Sequence, residues 1–238
     1  TIFDEFVKHF KGKNPVYGIL YADYTENFTY QTVQDYVKYL IAQIKKLHPN
    51  GPYGLIGYSL GARTILEVAI QLQQAKNEVE LLGVISHFPA SPSKKSWLSN
   101  RRILDEIRIF RSISPALRRK YIVHRLPYFL KMVVKGKQDI SEIQVENDAQ
   151  TRIFAMHEVY ETALKYKGDM VLIYETSPDA DPSEYKLAQV YRNSIFKKLW
   201  SEYVTGNINV RIVECKHIDF FKVPAVGEVT AIVESFLK

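Results

Sequence analysis

Cysteine is nearly absent: Cys215 is the sole thiol in 238 residues. That excludes an internal disulfide framework and any multi-cysteine zinc site, and it fits a reducing cytosol. Glycine (11) and proline (10) are too few for a fibrous or low-complexity chain. No run approaches the ~18–20 apolar residues that cross a bilayer, and the first residues lack the layout of a secretion signal. These absences lead us to expect a soluble, cytoplasmic protein. What is present is ordinary globular usage, 46% hydrophobic and 24% charged. A chain of this length buries roughly 70–75% of the surface its unfolded form exposes, so a hydrophobic core alone can hold it. The net charge of +6 and a pI near 9.1 leave room for an acidic partner without naming it.

Two apolar periods alternate along the chain. Ile2, Phe3, Phe6, Val7 and Phe10 share one helical face, with Asp4 and Glu5 in the first turn and Lys11 and Lys13 near the end, as the helix dipole favours. Gly12 and Pro15 stop that helix. Val16–Tyr21 reads as a short buried strand. Thr32 with Asp35 makes a capping-box-like start for a second helix, whose stripe runs from Val33 to Leu47, and His48 ends it. Strands are expected at Tyr53–Tyr58, Leu81–Ser86, Met170–Tyr174 and Val210–Glu214. Helices are expected at Leu60–Gln74, Arg152–Leu164, Tyr185–Tyr203 and Val226–Phe236. Strands alternating with helices imply right-handed crossovers and a mostly parallel sheet covered on both faces. Residues 97–150 break the alternation with Arg-rich helical patterns. The expected organisation is one domain over 1–238 with a helical insertion at about 97–150.

The pentapeptide Gly57-Tyr58-Ser59-Leu60-Gly61 matches G-x-S-x-G. An apolar strand runs directly into Ser59 and a helix begins directly after it, which is the context of a nucleophile elbow. Such a turn strains the serine backbone and brings the flanking positions close together, so glycine at 57 and 61 is expected to remove a clash. It also aims the helix N-terminus at the hydroxyl, so that the Leu60 N–H can stabilise an oxyanion. A serine hydroxyl needs a base, and the expected chain order is serine, acid, histidine. His9 and His48 precede the serine. His124 and His157 lie in helical patterns and read as solvated or packed, and His87 follows a strand end and can line the site. His217, just past the last strand, stands where this architecture places its general base.

Pro15-Val16-Tyr17-Gly18, the helix over 33–48, Gly51-Pro52-Tyr53 and Gly57-Tyr58-Ser59-Leu60-Gly61-Ala62 together resemble the thioesterase domains that end fatty-acid, polyketide and non-ribosomal peptide synthases. The similarity continues through Phe154–Leu172 and the His217 loop, and it is weakest over 97–150. The resemblance implies an α/β-hydrolase in which the insertion forms a lid over an acyl pocket. It implies Ser59 as nucleophile and His217 as base. The substrate would be an acyl, polyketide or peptidyl chain held as a thioester on the phosphopantetheine arm of an acyl or peptidyl carrier protein. No cofactor or metal of the domain's own is implied.

Two departures from the family pattern matter. The family's acid follows the strand after the elbow helix, and Ser86 occupies that position here. A serine carries no charge to stabilise an imidazolium, and loss of the acid in another serine hydrolase costs about 10⁴ in kcat. Asp179, beyond the Met170–Tyr174 strand, is the expected replacement, with Asp181 in reserve; a solvated turn is the alternative for both. The family also has a strand before its first helix, and the loop after it gives the second oxyanion donor. This chain begins at that helix, so either residues precede Thr1 in the native protein, which is the expectation, or the site is incomplete.

The remaining signals are weaker. Thirteen lysines and arginines between Lys94 and Lys137 face only Asp105 and Glu106. That surface suits an acidic carrier protein, or is simply a solvated face; no nucleic-acid-reading module accompanies it, and binding of the basic, apolar Tyr121–Val134 stretch to a membrane surface is a further option, without stable insertion. The apolar residues there would line an acyl tunnel, pack the lid on the body, or both. Cys215 reads as the end of a buried strand, with an alternative role as nucleophile. His157, Glu158 and Glu161 at helical spacing read as an exposed polar face rather than a metal site. The expectation is therefore an acyl-thioesterase acting by hydrolysis or cyclisation. A lipase or esterase on free esters, and a catalytically impaired acyl-binding or scaffold module, are the alternatives.

Overall fold

The computed structural model describes residues 2–19, 30–87, 110, 111, 115, 118, 119, 122, 123, 153, 156, 157, 160, 162–176 and 196–237. Helix α1 (Asp4–His9) is followed by α2 (Val33–Leu47), β1 (Tyr53–Tyr58), α3 (Gly61–Gln74) and β2 (Val79–Ile85). Then come β3 (Met170–Thr176), α4 (Lys197–Trp200), β4 (Ile208–Glu214), a 3-10 turn (His217–Asp219) and α5 (Ala225–Glu234). The four strands lie in the order β1-β2-β3-β4, each pair parallel. Apart from a few isolated positions the expected lid at 97–150 lies outside the described residues, as do Asp179, Asp181 and most of the helix expected at Tyr185–Tyr203.

Local chemistry starts the elements where the sequence suggests. The Thr32 hydroxyl accepts the Asp35 N–H at 3.1 Å and donates to the Asp35 carboxylate at 2.8 Å, closing the first turn of α2. His48 caps the other end, its N–H bonded to the Ile44 carbonyl at 2.8 Å. The strands alternate sides as their period of two requires. Leu82, Val84, Met170, Leu172 and Tyr174 pack under α2 and α3 with Trp200, whose indole N–H donates to the Tyr174 hydroxyl at 3.2 Å. Leu81, Ile85, Val171 and Ile173 face the other way, toward α1 and α5. There Phe3 and Phe6 meet Phe221 at ring distances of 4.8 and 6.0 Å. Burial on both faces explains why β2 and β3 read as near-continuous apolar runs.

Two expectations are corrected. Residues 16–19 form no strand, and Val16, Tyr17 and Ile19 are exposed. An apolar run becomes a strand only with a neighbour to pair, and among the described strands β1 pairs with β2 alone. The two motif glycines also differ in their need. A Cβ on Gly57 would stand 2.5 Å from Ile65 Cγ2, 2.6 Å from the Gly61 carbonyl oxygen and 2.8 Å from Ala62 Cα, whereas one on Gly61 would meet no described atom within 4 Å. Only Gly57 is therefore required for α3 to approach β1. Gly57→Ala should lower the unfolding free energy by about 1–3 kcal/mol through overpacking. Gly61→Ala should change it by less than about 1 kcal/mol. Urea unfolding midpoints of the two variants check this.

Candidate active site

The ends of the parallel strands bring the site together. The hydrogen-bond ladder runs one residue past β1 and β2: the Ser59 N–H bonds the Ile85 carbonyl at 2.9 Å, and the Ser86 N–H bonds the Ile173 carbonyl at 2.8 Å. Ser59 and Ser86 thus sit side by side at the same edge. Both have left-handed backbone, with φ of 50° and 52°. Non-glycine residues held there are strained by roughly 1–3 kcal/mol each, and such strain gathers at functional sites. At Ser59 the strain turns the chain from strand into α3, as an elbow requires. The Ser59 Oγ and the Leu60 N–H make no hydrogen bond among the described residues, so both are free to meet a ligand at the positive end of α3.

His217 reaches this edge from beyond β4. Its Nδ1 lies 2.6 Å from Ser86 Oγ, and the Ser86 hydroxyl donates to Glu175 Oε2, also at 2.6 Å. Tyr58 fixes the histidine a second way: its ring stacks on the imidazole at 5.1 Å and its hydroxyl donates to the His217 carbonyl at 2.6 Å. The imidazole is exposed while Ser86 is buried. No hydrogen bond joins Ser59 to His217 among the described residues; the two are linked through adjacent strand ends and the Tyr58 ring. Burial first, then the negative potential of Glu175 and Asp219, push the Tyr58 hydroxyl up to about 12, so it remains a donor at neutral pH.

The other candidates separate cleanly. Cys215 is buried, and desolvation first, then the negative potential of Glu175, Asp219 and Glu228, push its thiol up to about 12. A thiol so placed stays protonated and is no nucleophile. His157 is fully buried, its Nε2 on Thr64 Oγ1 at 2.9 Å and its Nδ1 on the Ile153 carbonyl at 2.8 Å. It is therefore a packed core residue, which corrects the expectation of an exposed polar face; Glu158 and Glu161 lie outside the described residues. Desolvation lowers its pKa to about 4. His87, beside Ser86, is lowered to about 3 by burial, then by Arg63, His157 and His217. No group of three His, Cys, Asp or Glu side chains among the described residues is placed to hold a metal. No helix among them is long and apolar enough to cross a membrane.

The family model for the thioesterase domain matches residues 1–237. The chain belongs to the thioesterase domain family. Among curated relatives, the indigoidine synthase of Streptomyces lavendulae is 40% identical over 81 residues, covering 34% of this domain and 6% of that protein. The chain spans only a small part of such relatives, 11% of the length of the inactive atromentin synthetase invA4 of Paxillus involutus. Among solved structures, a holo four-domain nonribosomal peptide synthetase, AB3403, superposes with a TM-score of 0.62 at 15% identity, over 98% of this domain and 18% of that chain. The NocB thioesterase domain, solved in covalent complex with a fluorophosphonate nocardicin G analog, gives a TM-score of 0.53 at 15% identity, over 90% and 78%. These likenesses establish the α/β-hydrolase type of fold. Family and fold are those of a hydrolase.

Two residues of this thioesterase domain escaped the sequence reading. Tyr58 occupies a variable position of the pentapeptide, and Glu175 follows the apolar Met170–Tyr174 run. A lone carboxylate closing a buried strand was the available signal for the second.

The buried histidines set an acid-side dependence. Both bind protons less readily folded than unfolded, so their favourable contribution is full above about pH 6.5 and is lost as pH falls toward 4. Stability should fall by up to about 1.4 kcal/mol per pH unit for each histidine in that window. His157→Gln should flatten the slope, as read from denaturant unfolding at pH 7 and pH 5.

Proposed function

We propose that this domain is an acyl-thioesterase that releases an acyl, polyketide or peptidyl chain from the phosphopantetheine thioester of a carrier protein. Ser59 is the nucleophile, His217 the general base and the Leu60 N–H an oxyanion donor. The observation that carries the proposal is the strained Ser59 at the β1–α3 turn, with the His217 imidazole held at the neighbouring strand end. Its Nδ1 is engaged by Ser86, which leaves Nε2 for the reaction.

In acylation, Ser59 Oγ attacks the thioester carbonyl carbon while His217 Nε2 takes the hydroxyl proton. The C–S bond then breaks, and the same proton goes to the departing thiol of the phosphopantetheine arm. Water resolves the acyl-serine by hydrolysis, and a hydroxyl or amine of the chain itself resolves it by cyclisation. The step draws on no cofactor bound by the domain. Ile218, exposed next to His217 in the chain, favours an apolar substrate at this edge. The basic segment Lys94–Lys137 suits an acidic carrier.

Ser86 in the family's acid position also supports a second reading, a catalytically impaired acyl-binding module. Covalent labelling separates the two. A fluorophosphonate should modify Ser59 in the wild-type domain and not in Ser59→Ala. His217→Ala should slow turnover of an acyl-N-acetylcysteamine thioester by about 10⁶-fold. An unlabelled Ser59 in the full-length protein would establish the binding module instead. Faster turnover of simple oxygen esters than of the carrier-bound thioester would identify an esterase.

A further inference from the structure

We propose that Glu175 supplies the acid of this site, acting on His217 through the Ser86 hydroxyl. The proposal rests on the thioesterase reading above and assigns the third member that Ser86 leaves missing.

Proton bookkeeping gives the arrangement one solution. Ser86 has a single hydroxyl hydrogen, and it lies on Glu175 Oε2 at 2.6 Å. A carboxylate accepts only, so that hydrogen is not available to His217. The contact of 2.6 Å between Ser86 Oγ and His217 Nδ1 then requires Nδ1 to be the donor. The neutral imidazole so fixed carries its lone pair on Nε2, the tautomer a general base needs. Reversing the Ser86 hydroxyl would protonate the ring at Nε2 and disable it. Glu175 therefore sets the tautomer without touching the ring. The distance of 2.6 Å is that of a charge-assisted O–H···O⁻ bond.

The backbone prepares the bridge. Ser86 is buried, held in left-handed conformation and tied by its N–H to Ile173, two residues before Glu175. The hydroxyl is thus anchored to the strand that carries the acid. Other ionisable groups surround the pair: Tyr58 on β1, His87 after β2, Cys215 after β4, and Asp219 with Lys222 in the following turn. Tyr58 and Cys215 are pushed up to about 12 and His87 down to about 3, so all three are neutral near pH 7. Asp219 is paired with Lys222 at 2.9 Å. Glu175 forms no ion pair among the described residues, which leaves its charge to act on an imidazolium forming one hydroxyl away. Each proton transferred to Nε2 during acylation is then offset by a fixed negative charge, while Ser86 keeps its hydrogen on Glu175 throughout.

As a positioning residue, Glu175 should affect turnover rather than substrate affinity. Glu175→Gln should lower kcat on an acyl-N-acetylcysteamine thioester about 10²-fold with KM unchanged, short of the ~10⁴ lost with a directly bonded acid. It should also move the acidic limb of kcat/KM to lower pH, because the imidazolium loses its stabilising charge. Ser86→Ala should cost a similar factor, and adding Glu175→Gln to it should cost less than about threefold more, since the bridge is already cut. The double variant Ser86→Asp/Glu175→Gln places a carboxylate directly on Nδ1 and should recover most of the lost rate; a merely structural role for Glu175 predicts no recovery. Fluorophosphonate labelling rates at Ser59 give a second readout of the same series. Wild-type kcat and pH profile in Glu175→Gln, with Ser59 still labelled, would overturn the relay and leave the thioesterase reading standing. Additive losses from Ser86→Ala and Glu175→Gln would overturn it too. Failure to label Ser59 in the wild-type protein would remove both.

Discussion

Parallel register is the constraint on which the site depends. Tyr58 lies opposite Ile85, and Ile85 opposite Ile173, so β1 and β2 finish level with one another while β3 runs on to Thr176 and carries Glu175 past their ends. Because the ladder continues one step beyond β1 and β2, Ser59, Ser86 and Ile173 of β3 are fixed relative to each other by backbone bonds of 2.9 and 2.8 Å. A slip of one residue in any strand would send its side chains to the opposite face and scatter the group. Burial on both sides of β2 and β3 makes such a slip costly, since Leu82 and Val84 would exchange places with Leu81 and Ile85. The apolar layers therefore help to specify where the polar groups at the strand ends stand.

Within that frame the polar groups divide into three kinds. Ser59, the Leu60 N–H and the His217 ring face outward with bonding capacity to spare. Ser86 and Glu175 sit behind the ring and are mutually satisfied. His157, with Thr64 and the Ile153 carbonyl, belongs to the core and stays neutral there.

The sheet and its order of elements were legible because apolar periodicity and turn chemistry agree. Tyr53–Tyr58 and Gly61–Gln74 appear within a residue of their expected bounds, and Thr32 caps α2 as its spacing with Asp35 suggests. Residues 16–19 misled because composition marks an apolar run without saying whether a neighbour exists to pair with it. Gly61 misled because a motif lists two glycines while only the backbone shows which of them a helix crosses. Ser59 and His217 stood out by local context, a strand-to-helix turn and a loop after the last strand. Glu175 did not, because its partnership with Ser86 joins residues 89 apart in sequence through register alone. Ser86 looked like a loss at a known position, and its meaning appears only with the carboxylate behind it.

Tyr58 carries a last consequence. The position is written as a wildcard in the G-x-S-x-G pattern, yet here its phenol clasps the carbonyl of a residue 159 places away and its ring forms the floor beneath that imidazole. The pentapeptide is accordingly not a self-contained cassette: grafted alone onto another scaffold it would bring the serine and leave the histidine loop unmoored. A different residue at the wildcard would leave the loop in need of some other latch.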